Sequence, residues 1–176
     1  MKVFLWVVAA IVLSTPAWAG MEKLSEVDWW AAHGGAREDG AHVCALVTVT
    51  PDGRGGKLVI EHVSGSNNFL IRLLKPDWSI PTGQKSRITL QFGYNKGQSV
   101  AAVGSEHELR IQMPLENLDA FLSGFRSAGR LDVVFLNGNE TAWSLAAGGE
   151  GFVEPDFIKC IKMAIPAKPK PATQPY

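Results

Sequence analysis

The side chains able to do chemistry in this 176-residue chain are scattered. Its four histidines, His33, His42, His62 and His107, lie in different segments, with no His-x-x-x-His or Cys-His spacing of the kind that offers two ligands to one metal ion. His42 and His62 stand on segments able to pair as neighbouring strands, so folding could bring them together, although surface or partly buried positions explain them without a metal. Nucleophilic catalysis has no firmer footing. Gly-x-Ser-x-Gly is absent, and neither Ser64 nor Ser105 has a base beside it in sequence. The local carboxylate clusters are Glu106 with Glu108, and Glu150 with Glu154 and Asp156. Acid–base work would need one member desolvated and another held by hydrogen bonds. A helix start, where negative charge is favourable, accounts for the second cluster without any activity. The runs Gly53-Arg54-Gly55-Gly56 and Gly148-Gly149-Glu150-Gly151 lack the Lys-Ser/Thr of a phosphate loop and read as flexible connectors. The residues therefore point to no catalytic set, no metal site and no cofactor.

Cys44 and Cys160 are the two cysteines of the chain. In an oxidising compartment two cysteines of one domain most simply pair, and closing a loop of more than about 100 residues stabilises by about 4 to 5 kcal/mol in the chain-entropy treatment. Two inert buried thiols, or a redox-active pair, are the other readings; the latter lacks the Cys-x-x-Cys spacing that tunes such a site. Trp29 and Trp30 are the side chains best placed to meet a partner. Adjacent residues of an extended strand face opposite sides, so one can pack on the core while the other meets solvent and takes a glycan or a protein. Trp78 and Trp143 read as core or turn anchors.

With 17 basic and 17 acidic residues the chain is neutral, and without a basic stripe it has little means of recruiting nucleic acid or anionic lipid. Lys2 precedes an uncharged apolar run whose length, about 11 residues, suits a signal-peptide core and falls short of the ~20 of a spanning helix. Ser14-Thr15-Pro16 ends that run, and Ala17-Trp18-Ala19 supplies small residues for a signal peptidase. Residues 1–19 are thus expected to be a cleaved signal peptide, leaving no stable membrane span and a periplasmic or secreted product. Residues 20–165 suit a single β-rich domain, long enough to bury its own core. Residues 166–176, with Pro and Lys interleaved and no bulky aliphatic side chain, are expected to be a disordered tail.

Strand patterning dominates the first two thirds of that domain. Residues 43–50 and 57–63 flank Pro51-Asp52-Gly53 as a hairpin, and 69–74, 88–94, 99–103 and 108–113 continue the alternation. Ser64-Gly65-Ser66-Asn67-Asn68, the Trp78-to-Gly83 segment and Asn95-Lys96-Gly97 are turns by composition. After Pro114 the period changes. Leu115, Leu118, Phe121, Leu122 and Phe125 recur at helical spacing up to Gly129. Residues 131–136 and 141–145 then read as a hairpin about Asn137-Gly138, and Val153, Phe157, Cys160 and Ile161 share one face of a terminal helix. The expected fold is α+β and mainly β: an antiparallel β-sandwich or partly open barrel with one amphipathic helix and a C-terminal helix tied by the disulfide.

This order of features resembles a known family. A Cys-bearing early strand, the Trp78-x-Ile80-Pro81-x-Gly83 turn feeding a strand, the Leu118-to-Phe125 helix and Trp143-Ser144-Leu145-x-x-Gly148 before a terminal helix look like the periplasmic proteins of the invasion-associated locus B type. The family's mid-chain Cys-x-x-Gly-Cys-type segment has no counterpart here. The resemblance implies a non-enzymatic envelope protein of β-sandwich type, in some cases linked to host association. The expected function is binding to an envelope protein or a host surface component. The alternative is a small periplasmic hydrolase whose carboxylates or Ser are assembled by folding.

Overall fold

Alternating apolar and polar side chains set strands over most of the chain, and the computed structural model, which describes residues 20–37 and 39–164, arranges them in one sheet. The expected signal peptide and tail lie outside the described residues. Among the described residues there are ten strands: β1 (Met21–Val27), β2 (Trp30–Ala36), β3 (His42–Val49), β4 (Lys57–Val63), β5 (Asn68–Leu74), β6 (Lys85–Phe92), β7 (Gln98–Ser105), β8 (Glu108–Pro114), β9 (Arg130–Phe135) and β10 (Trp143–Ala146). A 3-10 turn, Leu115–Asn117, leads into α1 (Leu118–Ala128), and α2 spans Glu150–Ala164. All pairings are antiparallel, in the order β1-β2-β3-β4-β5-β8-β7-β6-β9-β10.

The sheet does not close by hydrogen bonding, but it curls until its ends meet. The Trp30 indole N–H of β2 donates to the Ala146 carbonyl of β10 at 2.9 Å. Helix α1 lies within the curl. Phe125 stacks edge-on against Trp30 at 5.3 Å, and Phe121 does so against Phe69 of β5 and Phe92 of β6. One helix thus touches strands from both halves of the sheet. The Gly129 cap ends α1 with φ of 69°, a left-handed conformation that a side chain would resist. The resulting core is contiguous, running from Trp30, Cys44 and Ile60 through Ile88, Leu122 and Val133 to Phe157.

Helix α2 packs on the same face of the sheet, against β1, β2 and β3. Cys44 and Cys160 are joined, with Cα atoms 5.9 Å apart, so the bridge ties α2 to β3. Strand β2 is built for this contact. A Cβ at Gly34 would stand 2.8 Å from the Cys160 sulfur, so only glycine lets the helix approach.

The expected hairpin about Asn137-Gly138 forms with a wider loop: Val133 pairs with Trp143 and Leu131 with Leu145, which centres it on Gly138, while β9 pairs with β6 along its other edge. The Asn137 side chain accepts the Arg87 backbone N–H at 3.2 Å, which holds the wider loop. One local expectation changes: Gly148-Gly149-Glu150-Gly151 is not a loose connector. Helix α2 already begins at Glu150, and a Cβ at Gly149 would fall 2.3 Å from the Val27 carbonyl oxygen.

Candidate partner-binding surface

Trp29 and Trp30 part company where the β1–β2 turn meets β2. Trp30 enters the core at 1 % exposure, whereas Trp29, on the turn, is 67 % exposed. The same end of the molecule carries the start of α2, since Gly149 abuts Val27 and Asp28. There Phe152 is 74 % exposed, and one helix length away Met163 is also exposed. Leu24 of β1 sits at a register shift in the β1–β2 ladder and is likewise exposed, with its side chain beside Gly34. Between Phe152 and Met163 the outer side of α2 forms an open groove of about 540 Å³ along Pro155, Ile158, Lys159 and Lys162. Phe152 and Met163 fall outside the Val153, Phe157, Cys160, Ile161 stripe, and that displacement is the sequence signal that marks them as solvent-facing.

Beneath this surface the second carboxylate cluster takes shape. Glu150 is wholly buried at the first turn of α2, and neither of its carboxyl oxygens makes a hydrogen bond of normal geometry. Its pKa is pushed up from 4.5 to about 8, first by burial and then by the neighbouring Glu154 carboxyl, with Arg126 acting in the opposite direction. Arg126 donates to Glu154 at 2.5 Å, which turns the guanidinium toward Glu154 and leaves Glu150 without an ion pair. Asp156 is not part of this contact.

A second cluster surrounds Glu140, which sequence reading passed over. Its carboxylate accepts from the Trp78 indole at 2.9 Å, the Trp143 indole at 3.1 Å and the Lys75 ammonium at 2.9 Å. Trp78 and Trp143 stack with centroids 5.4 Å apart, and Phe135 meets both edge-on. Burial alone would raise the Glu140 pKa, but the three donors outweigh it and hold the carboxyl below its ordinary value. The cluster fastens the β5–β6 loop to the β9–β10 loop. An open cleft of about 490 Å³ lies beside it, with Trp78, Ile80, Phe135 and Asn139 among its walls. No sequence signal marks Glu140, because two of its three donors, Lys75 and Trp78, come from a segment more than 60 residues away.

The remaining candidates separate. His42 and His62 do not form a pair: His42 Nδ1 faces the disulfide, and His62 Nδ1 donates to the Asn68 carbonyl at 3.1 Å. His107 donates to the Trp78 carbonyl. His33 lies on β2 with its pKa lowered by burial and by Lys23. Ser64 accepts the His42 backbone N–H, a turn contact. Glu108 is drawn away from Glu106 into an ion-pair network with Arg72, Glu61 and Arg110 on the outer face of the sheet. Among the described residues no helix is long and apolar enough to cross a membrane. No protein-family model matches the chain, and comparisons with curated proteins and with solved structures return no match.

Proposed function

We propose that the protein is an exported envelope protein of the invasion-associated locus B type that works as an interaction module, using the side formed by α2 and the β1–β2 turn to hold a protein partner. One observation carries this reading: Leu24, Trp29, Phe152 and Met163, four large apolar side chains that the filled core does not need, are exposed on that side of the molecule. Burying such side chains against a partner stabilises by about 25 cal/mol per Å², and aromatic anchors supply most of the energy of typical interfaces. The Cys44–Cys160 bridge suits an oxidising compartment, in keeping with a periplasmic or secreted location. The partner is an envelope protein or a host surface component.

The Glu150–Glu154 pair is what would favour the hydrolase alternative, since burial raises the Glu150 pKa while Arg126 pairs with its neighbour Glu154. Glu150, however, is wholly buried, and the groove along α2 reaches Glu154 alone. The interaction reading is tested by crosslinking the tagged protein in its own envelope and identifying what it captures. A Trp29→Ala, Phe152→Ser variant should lose the captured partner while keeping its melting temperature. An unchanged capture profile would overturn the assignment of this surface.

A further inference from the structure

The disulfide has a neighbour that a purely structural bridge does not require. His42 Nδ1 lies 3.7 Å from the Cys44 sulfur and 3.9 Å from the Cys160 sulfur, and the three ligand atoms fall within 4.8 Å of one another. Zn–S bonds of about 2.3 Å and Zn–N bonds of about 2.0 to 2.1 Å at tetrahedral angles give an N···S edge of about 3.6 Å. Two edges of a metal-binding face are thus nearly formed in the oxidised protein, and only the bonded sulfurs must part.

We propose that the Cys44–Cys160 bridge is the oxidised form of a metal site: once reduced, Cys44, Cys160 and His42 bind one thiophilic divalent cation of the Zn²⁺ type. The metal then takes over the task of tying α2 to β3. The chemistry balances with a dithiol reductant. It gives two electrons and two protons to the bridge, the S–S bond breaks, two thiols form, and the reductant leaves as its own disulfide. The cation displaces both thiol protons, so each metal bound releases two H⁺. Two thiolates cancel a dipositive charge, and a neutral centre suits sulfurs that are wholly buried. His42 is half-buried and borders the site on its more open side.

His62 adds an independent observation. It stands directly across the β3–β4 ladder from Cys44, buried at 1 % exposure, with its Nε2 unpartnered. Because the Asn68 carbonyl can only accept, Nδ1 carries a proton, and Nε2 is the ring nitrogen left without a partner. A histidine that donates one ring N–H to a backbone carbonyl is oriented as metal-ligating histidines usually are. His62 lies beside the three-ligand group, on the same face of the sheet as Cys44.

The test uses the purified protein, reduced with a phosphine and titrated with Zn²⁺ or Co²⁺ alone. One equivalent should bind, with a thiolate-to-cobalt charge-transfer band, release of two protons and a raised melting temperature; the oxidised protein should show none of these. His42→Ala, verified as folded in its oxidised form by near-ultraviolet circular dichroism, should weaken Zn²⁺ binding by at least about 100-fold, more than the loss of an outer-sphere partner typically costs. The proposal is overturned if His42→Ala binds as tightly as the parent, if the oxidised protein binds equally well, or if the cobalt complex lacks thiolate absorption. Failure of the reduced parent to bind, or equal affinity of the urea-unfolded chain, would overturn it as well.

Discussion

At the residue scale, neighbours in sequence meet opposite environments. Trp30 fills the curl against Phe125 and donates its indole N–H to Ala146, whereas Trp29 stands in solvent. Trp30→Ala should therefore lower unfolding stability by about 3 to 5 kcal/mol in urea titrations, and Trp29→Ala should change it by less than about 0.5 kcal/mol. Equal costs would contradict the placement. Glu150 provides a pH signature. A carboxyl whose pKa is raised by folding binds its proton more tightly in the folded state, so stability falls as pH climbs from the unfolded value of 4.5 towards about 8. Glu150→Gln stays neutral throughout. It should flatten that decline and melt higher than the parent at pH 8; an unchanged slope of melting temperature against pH would show that Glu150 is not the group responsible. That one of the two tryptophans would face out was foretold, but a turn and not strand alternation separates them, since Trp29 precedes the first residue of β2. Patterning could not foretell that Glu150 would be buried, because that depends on the start of α2 seating against the end of β1, where Gly149 abuts Val27 and Asp28.

At the element scale, α2 is held by a covalent bridge and by a strand made of small residues. β2 reads Trp-Ala-Ala-His-Gly-Gly-Ala, a composition with weak strand propensity, and the alternation of residues 43–113 gave no hint of it. Its smallness serves packing, since Gly34 admits the Cys160 sulfur. Gly34→Ala should push α2 outward, seen as faster hydrogen exchange along residues 150–164; protection equal to the parent's would contradict the close approach. Replacing both cysteines by Ser, in metal-free buffer, should reduce unfolding stability by about 4 to 5 kcal/mol, the chain-entropy value for so long a loop. The strands β3 to β8 and α1 were legible because their periods, two and 3.6, are set by burial on one face. The hairpin about Asn137-Gly138 was legible from its turn residues, but a local turn signal carries no information about β6, which pairs with the other edge of β9.

At the scale of the whole molecule, the mainly β, α+β architecture followed from patterning, while the partly open barrel arises from long-range contacts such as Trp30 to Ala146 and Phe121 to both Phe69 and Phe92. The same curl separates two faces by character. The outer face of β4, β5 and β8 is covered by the paired charges of Glu61, Arg72, Glu108 and Arg110, and the α2 side carries unpaired apolar side chains. One of the four side chains of the proposed site was legible, because Trp29 announces itself by type. Phe152, Met163 and Leu24 join it only once α2 and β1 are placed together. The most direct test of a partner surface on this side is a photoreactive phenylalanine analogue installed singly at Phe152 and at Tyr94, which is the more exposed of the two at 97 % but lies on the β6–β7 turn. After irradiation in the native envelope, a discrete crosslinked protein from position 152 and none from position 94 is the predicted result. Equal labelling at both positions, or none at 152, would contradict the assignment of this face as the protein's working surface.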